Sequence, residues 1–139
     1  MDFTNEQTAS KYTPLTKFLD ALLHDTKSKE MDRNDMKAKA IFITENGCAS
    51  DDVIGDDSKI YDTNRIMYLR NYLTQLQRAT ADGVPVNGYF QWSAMDNFEW
   101  NAGFGNRLGL VHVNFKTQKR MPKASTSWFR EAARRDAVV

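Results

Sequence analysis

Two stretches of this 139-residue chain combine residue types that can do chemistry together. In Thr44-Glu45-Asn46-Gly47 a carboxylate closes an apolar run just before a turn, and Trp92 to Trp100 carries two indoles around Asp96, Asn97 and Glu99. A carboxylate held at a rigid strand end can serve as a nucleophile or base. Indoles beside carboxylates and amides suit carbohydrate, because the apolar face of a pyranose stacks on the ring while its hydroxyls need fixed acceptors. The same residues have plainer uses. A lone Glu at such a position more often caps or pairs than reacts, while Trp92 and Trp100 could be packing residues and Asp96 and Glu99 loop caps.

Elements must hold these stretches in place. Ala40 to Thr44 is a short apolar, β-branched run with the length of a strand buried on both faces, broken by Asn46-Gly47. Asp51, Asp52, Asp56 and Asp57 with Gly55 then read as a loop carried at its end. Asp62 is placed to cap a long helix with Ile66, Leu69, Leu73 and Leu76 as its apolar stripe, stopped by Asp82-Gly83 and Pro85. Val86 to Ser93 reads as a second strand, so the order and lengths are those of a parallel βαβ unit. Loops at the carboxyl ends of parallel strands are where such folds carry their chemistry, and both stretches lie there.

Further along, Asp96 to Asn106 reads as a long loop and Leu108 to Phe115 as an apolar run able to form a short hairpin with its neighbours. Lys123 to Arg135 reads as a terminal helix behind Pro122, with Trp128, Phe129, Ala132 and Ala133 on one side. Upstream, Leu15, Phe18, Leu19, Leu22 and Leu23 give Thr13 to Thr26 the spacing of an amphipathic helix, and Lys27 to Lys39 is a charge-dense, solvated connection.

Composition narrows the partners. With 41% hydrophobic and 27% charged residues the chain is of globular type, and Lys+Arg at 19 against Asp+Glu at 18 gives a net charge of +1. No overall field draws it to nucleic acid or to a membrane surface. The single cysteine, Cys48, excludes an internal disulfide, and Met1 to Ser10 lacks the apolar core of a signal peptide, so a cytoplasmic setting is expected. His24 and His112 lack partners at ligand spacing and no glycine-rich phosphate loop occurs, so no metal and no cofactor is implied.

A longer set of residues is specific enough to suggest a family. Ile43 to Gly47, Gly88-Tyr89-Phe90, Trp92-Ser93, Asn97 to Trp100, Gly103-Phe104, Arg107 to Val111, Thr117 to Arg120, Pro122 to Ser125 and Trp128 together resemble the family 1 glycoside hydrolases, the β-glucosidases. The resemblance is strong over residues 40–139 and weak over 1–39, the helix and linker. It implies an α/β fold, the C-terminal part of a (β/α)8 TIM barrel holding about strands 7 and 8 with their helices. It also implies retaining hydrolysis of terminal β-D-glucosyl residues in short β-glucosides or oligosaccharides. Glu45 matches the nucleophile of the family. Glu99 matches the acceptor for hydroxyls at the far end of the glucose ring, and Trp92 and Trp100 match the indoles bounding that subsite. Members taking phosphorylated sugars usually carry Ser and Lys in place of this Glu-Trp loop, so an unphosphorylated ring is expected.

The chain also departs from the family pattern. The second carboxyl of retaining hydrolysis lies in the family within an Asn-Glu-Pro motif on an earlier strand, and no such tripeptide occurs here. Asn5-Glu6-Gln7 lacks both the proline and a preceding strand, and Glu6 lies only 39 positions ahead of Glu45. A closed barrel takes roughly 250 residues, so this length supplies two or three of its eight units. An incomplete barrel is expected to be inactive or very weak alone, and to self-associate or dock onto a complementary N-terminal barrel portion. A non-catalytic sugar-binding or interaction fragment is the alternative. Leu108 stands where many relatives carry Phe beside the sugar, Tyr72 replaces a common His, and Cys48 suits buried packing.

Overall fold

The structure is a computed structural model that describes residues 40–139. The expected helix at Thr13 to Thr26 and the connection after it lie outside the described residues.

Strand β1 spans Ile41–Asn46, helix α1 Thr63–Ala81 and strand β2 Val86–Gln91. The two strands pair in parallel, with Ile41 opposite Val86, Ile43 opposite Tyr89 and Asn46 opposite Gln91. This is the expected βαβ unit, the 19 residues of α1 giving the crossover that parallel strands need. At its end Gly83 takes a φ of 93°, and its N–H bonds back to the Thr80 carbonyl at 3.0 Å. That left-handed residue is what stops α1.

Burial departs from expectation on one point. Phe42 is 55% and Phe90 59% exposed, so the strands are not buried on both faces. The opposite side is covered where the Tyr89 ring meets Phe129 of the terminal helix, 6.3 Å between centroids. An apolar run signals the burial a strand has in a complete sheet; two strands with helices on one side cover only that side.

The run after Leu108 does form a hairpin, short and antiparallel, of β3 (Val111–Val113) and β4 (Arg120–Pro122). Helix α2, Ala124–Arg135, follows directly and packs against α1. Ile60, Leu69, Ala79, Val113 and Ala132 form the buried apolar core among the described residues. Asp62 precedes α1 as expected, yet its carboxylate makes no capping bond to that helix. It turns instead to the first turn of α2, at Ser125. Among the described residues no helix is long and apolar enough to cross a membrane.

Candidate functional site

The site is built on the carboxyl ends of β1 and β2. Glu45 lies inside β1, one residue before its end, and is exposed. Asn46 follows it half-buried, its carbonyl accepting the Trp92 N–H at 2.9 Å. Gly47 then passes so close to the second strand's exit that a Cβ there would come within 1.8 Å of the Trp92 carbonyl oxygen. Only glycine permits this approach, which joins the Glu45 turn to the tryptophan loop.

On the other side the Trp92 indole Nε1 donates to Glu99 Oε2 at 3.1 Å. The loop closes on itself: the Glu99 N–H bonds to the Gly103 carbonyl at 2.7 Å, and the Ala102 N–H to the Glu99 carbonyl at 2.8 Å. Between them Trp100–Ala102 make a single 3-10 turn. Trp100 has a φ of 33° and is 82% exposed. A large apolar ring left in water on a left-handed backbone is disfavoured on both counts. The structure therefore brings Trp92 and Glu99 into direct contact, sets Trp100 beside them, and links Glu45 to them through backbone.

Beneath this rim lies a buried ionic network that sequence reasoning missed. The Arg65 guanidinium is wholly buried and forks onto Asp52, at 3.0 and 3.1 Å, while also bonding Asp62 and the Arg107 carbonyl. The Lys123 ammonium bonds Asp52 and sits 2.7 Å from Asp96 Oδ1. Asp96 further accepts from Arg107 Nη1 at 3.0 Å and from the Gly109 and Val113 N–H groups at 3.0 and 3.3 Å. Three carboxylates thus face three cations. The network ties the loop after β1, the start of α1, the loop after β2, the hairpin and the start of α2 into one block.

Burial opposes ionisation of Asp96, but Lys123, Arg107 and the Val113 N–H outweigh it and hold the carboxyl below its ordinary range. His112, 3.5 Å from Asp96 through Nδ1, is held below its ordinary range by burial and by the Arg107 guanidinium. Cys48 is half-buried, and burial pushes its thiol up to about 11, which disfavours the thiolate. At the outer edge Phe98 meets Phe104 edge-on at 5.4 Å, Phe104 meets Phe115 at 4.5 Å, and Arg107 lies 4.4 Å over the Phe115 ring.

An exposed carboxylate at Glu45, a half-buried one at Glu99 and the exposed Trp100 indole are groups that can bind and react with a hydroxyl-rich ring. Residues 8–138 match the family model described as Glycosyl hydrolase family 1. The 1,4-beta-D-glucan glucohydrolase of Thermotoga neapolitana is 43% identical over 107 residues, 77% of this chain and 24% of that protein. Beta-glucosidase A of Acetivibrio thermocellus is 53% identical over 91 residues, 66% of this chain and 20% of that protein. A 6-phospho-beta-galactosidase of Leptotrichia buccalis is 46% identical over 95 residues, 68% of this chain and 20% of that protein. Among solved structures, the family 1 b-glucosidase from Thermotoga maritima in complex with isofagomine lactam superposes with a TM-score of 0.73 at 40% identity, over 76% of this chain and 24% of that one. The chain thus spans about a quarter of the length of the relatives it matches.

Proposed function

Since the chain belongs to glycosyl hydrolase family 1, we propose that it is the nucleophile-bearing, C-terminal segment of a retaining β-glucosidase. In this reading β1 and β2 are the seventh and eighth strands of a (β/α)8 barrel, residues 40–139 run from the seventh strand to the final helix, and 1–39 lead into them.

A Glu45 carboxylate oxygen attacks the anomeric carbon of a β-glucoside as the bond to the aglycone oxygen breaks, leaving a glycosyl ester. A second carboxyl gives the departing oxygen its proton, then takes one from the water that cleaves the ester, so configuration is retained. That partner must stand about 5–5.5 Å from the nucleophile. With no Asn-Glu-Pro tripeptide in these 139 residues, it comes from a complementary N-terminal barrel portion. Such a portion would cover the exposed face of Phe42 and Phe90. Without the acid, a natural leaving group loses about 10²–10⁴-fold in rate.

Glu99 and the two indoles form the recognition half. The Glu99 carboxylate, oriented by Trp92, accepts sugar hydroxyls and repels a phosphate, which favours an unphosphorylated ring. The observation that carries the reading is Trp100, 82% exposed next to that oriented carboxylate, where a pyranose face would cover it. A second reading, sugar binding without turnover, has its own support: Trp92, Glu99 and Trp100 complete their contacts within one short loop and need no second carboxyl.

The test is hydrolysis of an activated aryl β-glucoside by this chain mixed with a family 1 β-glucosidase truncated before its own C-terminal quarter. Turnover that Glu45→Gln abolishes is the expected result. Calorimetric sugar binding with no turnover overturns it in favour of the second reading.

A further inference from the structure

Glu45 sits at an irregularity in the sheet. Ile43 pairs with Tyr89 and Asn46 with Gln91, so three steps along β1 match two along β2. Thr44 and Glu45 occupy that bulge, outside the regular ladder that would otherwise fix their direction. Something else must aim the Glu45 side chain.

The next residue is held on two sides. Asn46 Oδ1 accepts the Tyr89 hydroxyl at 2.7 Å, and Asn46 Nδ2 donates to the Tyr68 hydroxyl at 3.0 Å. Tyr89 belongs to β2 and Tyr68 to α1, so one amide spans both elements against which β1 packs. Each phenol is itself braced: Tyr68 stacks on Tyr72 with centroids 4.1 Å apart, and Tyr89 lies against Phe129 of α2. The backbone carbonyl of Asn46 is fixed as well, by the Trp92 N–H. The Asn46 side chain is anchored to Tyr89 and Tyr68 while its neighbour Glu45 is exposed, so holding Asn46 fixes the backbone from which the Glu45 side chain projects.

We infer that Asn46, clamped between Tyr89 and Tyr68, is a positioning residue that aims the Glu45 carboxylate across the bulge. This rests on Glu45 being the nucleophile, and it adds a device the sheet alone does not supply. Burial raises both phenols, Tyr68 further through Tyr72 and Tyr89 further through Cys48, so Tyr89 keeps the proton it donates to Asn46 and Tyr68 stays a neutral acceptor for the Asn46 amide.

Tyr68→Phe and Tyr89→Phe each delete one clamp bond while keeping the ring, and two readouts separate the questions. In the chain alone, nitrogen-15 relaxation of the Glu45 amide is expected to show added motion in both variants, with the Arg134 amide unchanged. In the mixture with the truncated barrel, kcat for an aryl β-glucoside is expected to fall about tenfold with KM within about twofold, the pattern of a misaimed nucleophile. Unchanged Glu45 relaxation in both variants overturns the inference. If the unmutated mixture shows no turnover, the catalytic reading fails, and the relaxation comparison still decides the clamp.

Discussion

Asp62, the residue preceding α1, caps α2. Its Oδ1 accepts the Ser125 backbone N–H at 2.9 Å and its Oδ2 the Ser125 hydroxyl at 2.5 Å, across 63 positions of sequence. Oδ2 also meets the buried Arg65. One carboxylate therefore satisfies an open helix end and half-neutralises a guanidinium, locking the two helices behind the site together.

Asp62→Ala removes both functions at once. It is expected to lower the unfolding free energy by about 3 kcal/mol, and Asp62→Asn, which keeps an acceptor, by less. Urea denaturation measures both; an Asp62→Ala chain as stable as the parent contradicts the assignment.

Lys123 gives a stricter test of the ionic block. Its side chain is fully buried between Asp52 and Asp96, and Lys123→Met takes from these two buried carboxylates the cation they share, leaving Asp52 to Arg65 and Asp96 to Arg107. The expected cost is about 3–5 kcal/mol, read by the same denaturation. A neutral result would mean that water reaches the block.

Stability should fall with acid in two windows. Asp96 is held below its ordinary value of 3.8 in the folded chain, so unfolding takes up a proton first; its contribution is complete above that value and lost as pH falls through the lower folded one. His112, below 6.5 because of burial and Arg107, with Asp96, Lys123 and Asp52 also facing it, follows the same sign: stability declines as pH drops below 6.5. His112→Asn should flatten the upper window and leave the lower. Urea midpoints across pH check this, and a midpoint that rises on acidification contradicts it.

The βαβ unit was legible because apolar spacing and the Asp82-Gly83 stop follow from local sequence. Trp92 and Glu99 were legible as neighbours at one strand end because they lie only seven positions apart, but the bond between them was not. Arg65 was not. It occupies the core stripe one turn before Leu69, where periodicity asks for an apolar side chain, and its carboxylates come from Asp52 and from Asp62 at the helix mouth. A run of aspartates reads as a solvated loop until folding shows that Asp52 faces inward. The bulge at Glu45 was equally hidden, since register belongs to two strands and neither sequence states it alone.

Sugar selection should follow Glu99. The relatives include both beta-glucosidases and a 6-phospho-beta-galactosidase, so likeness alone does not choose. In the mixture with a truncated barrel, an aryl β-glucoside is expected to react at least about a hundredfold faster than its 6-phosphate, because the phosphate would meet the carboxylate that Trp92 holds in place. A preference for the phosphorylated substrate contradicts this.

The most direct test of the central claim is to trap the glycosyl ester. A 2-deoxy-2-fluoro-β-glucoside with an activated leaving group slows breakdown of the intermediate more than its formation, so the sugar accumulates on the nucleophile. Peptide mapping by mass spectrometry of this chain in the mixture should find the adduct on Glu45 and lose it in Glu45→Gln. An adduct on another residue of the chain, or none in a mixture that binds the sugar, would contradict the account.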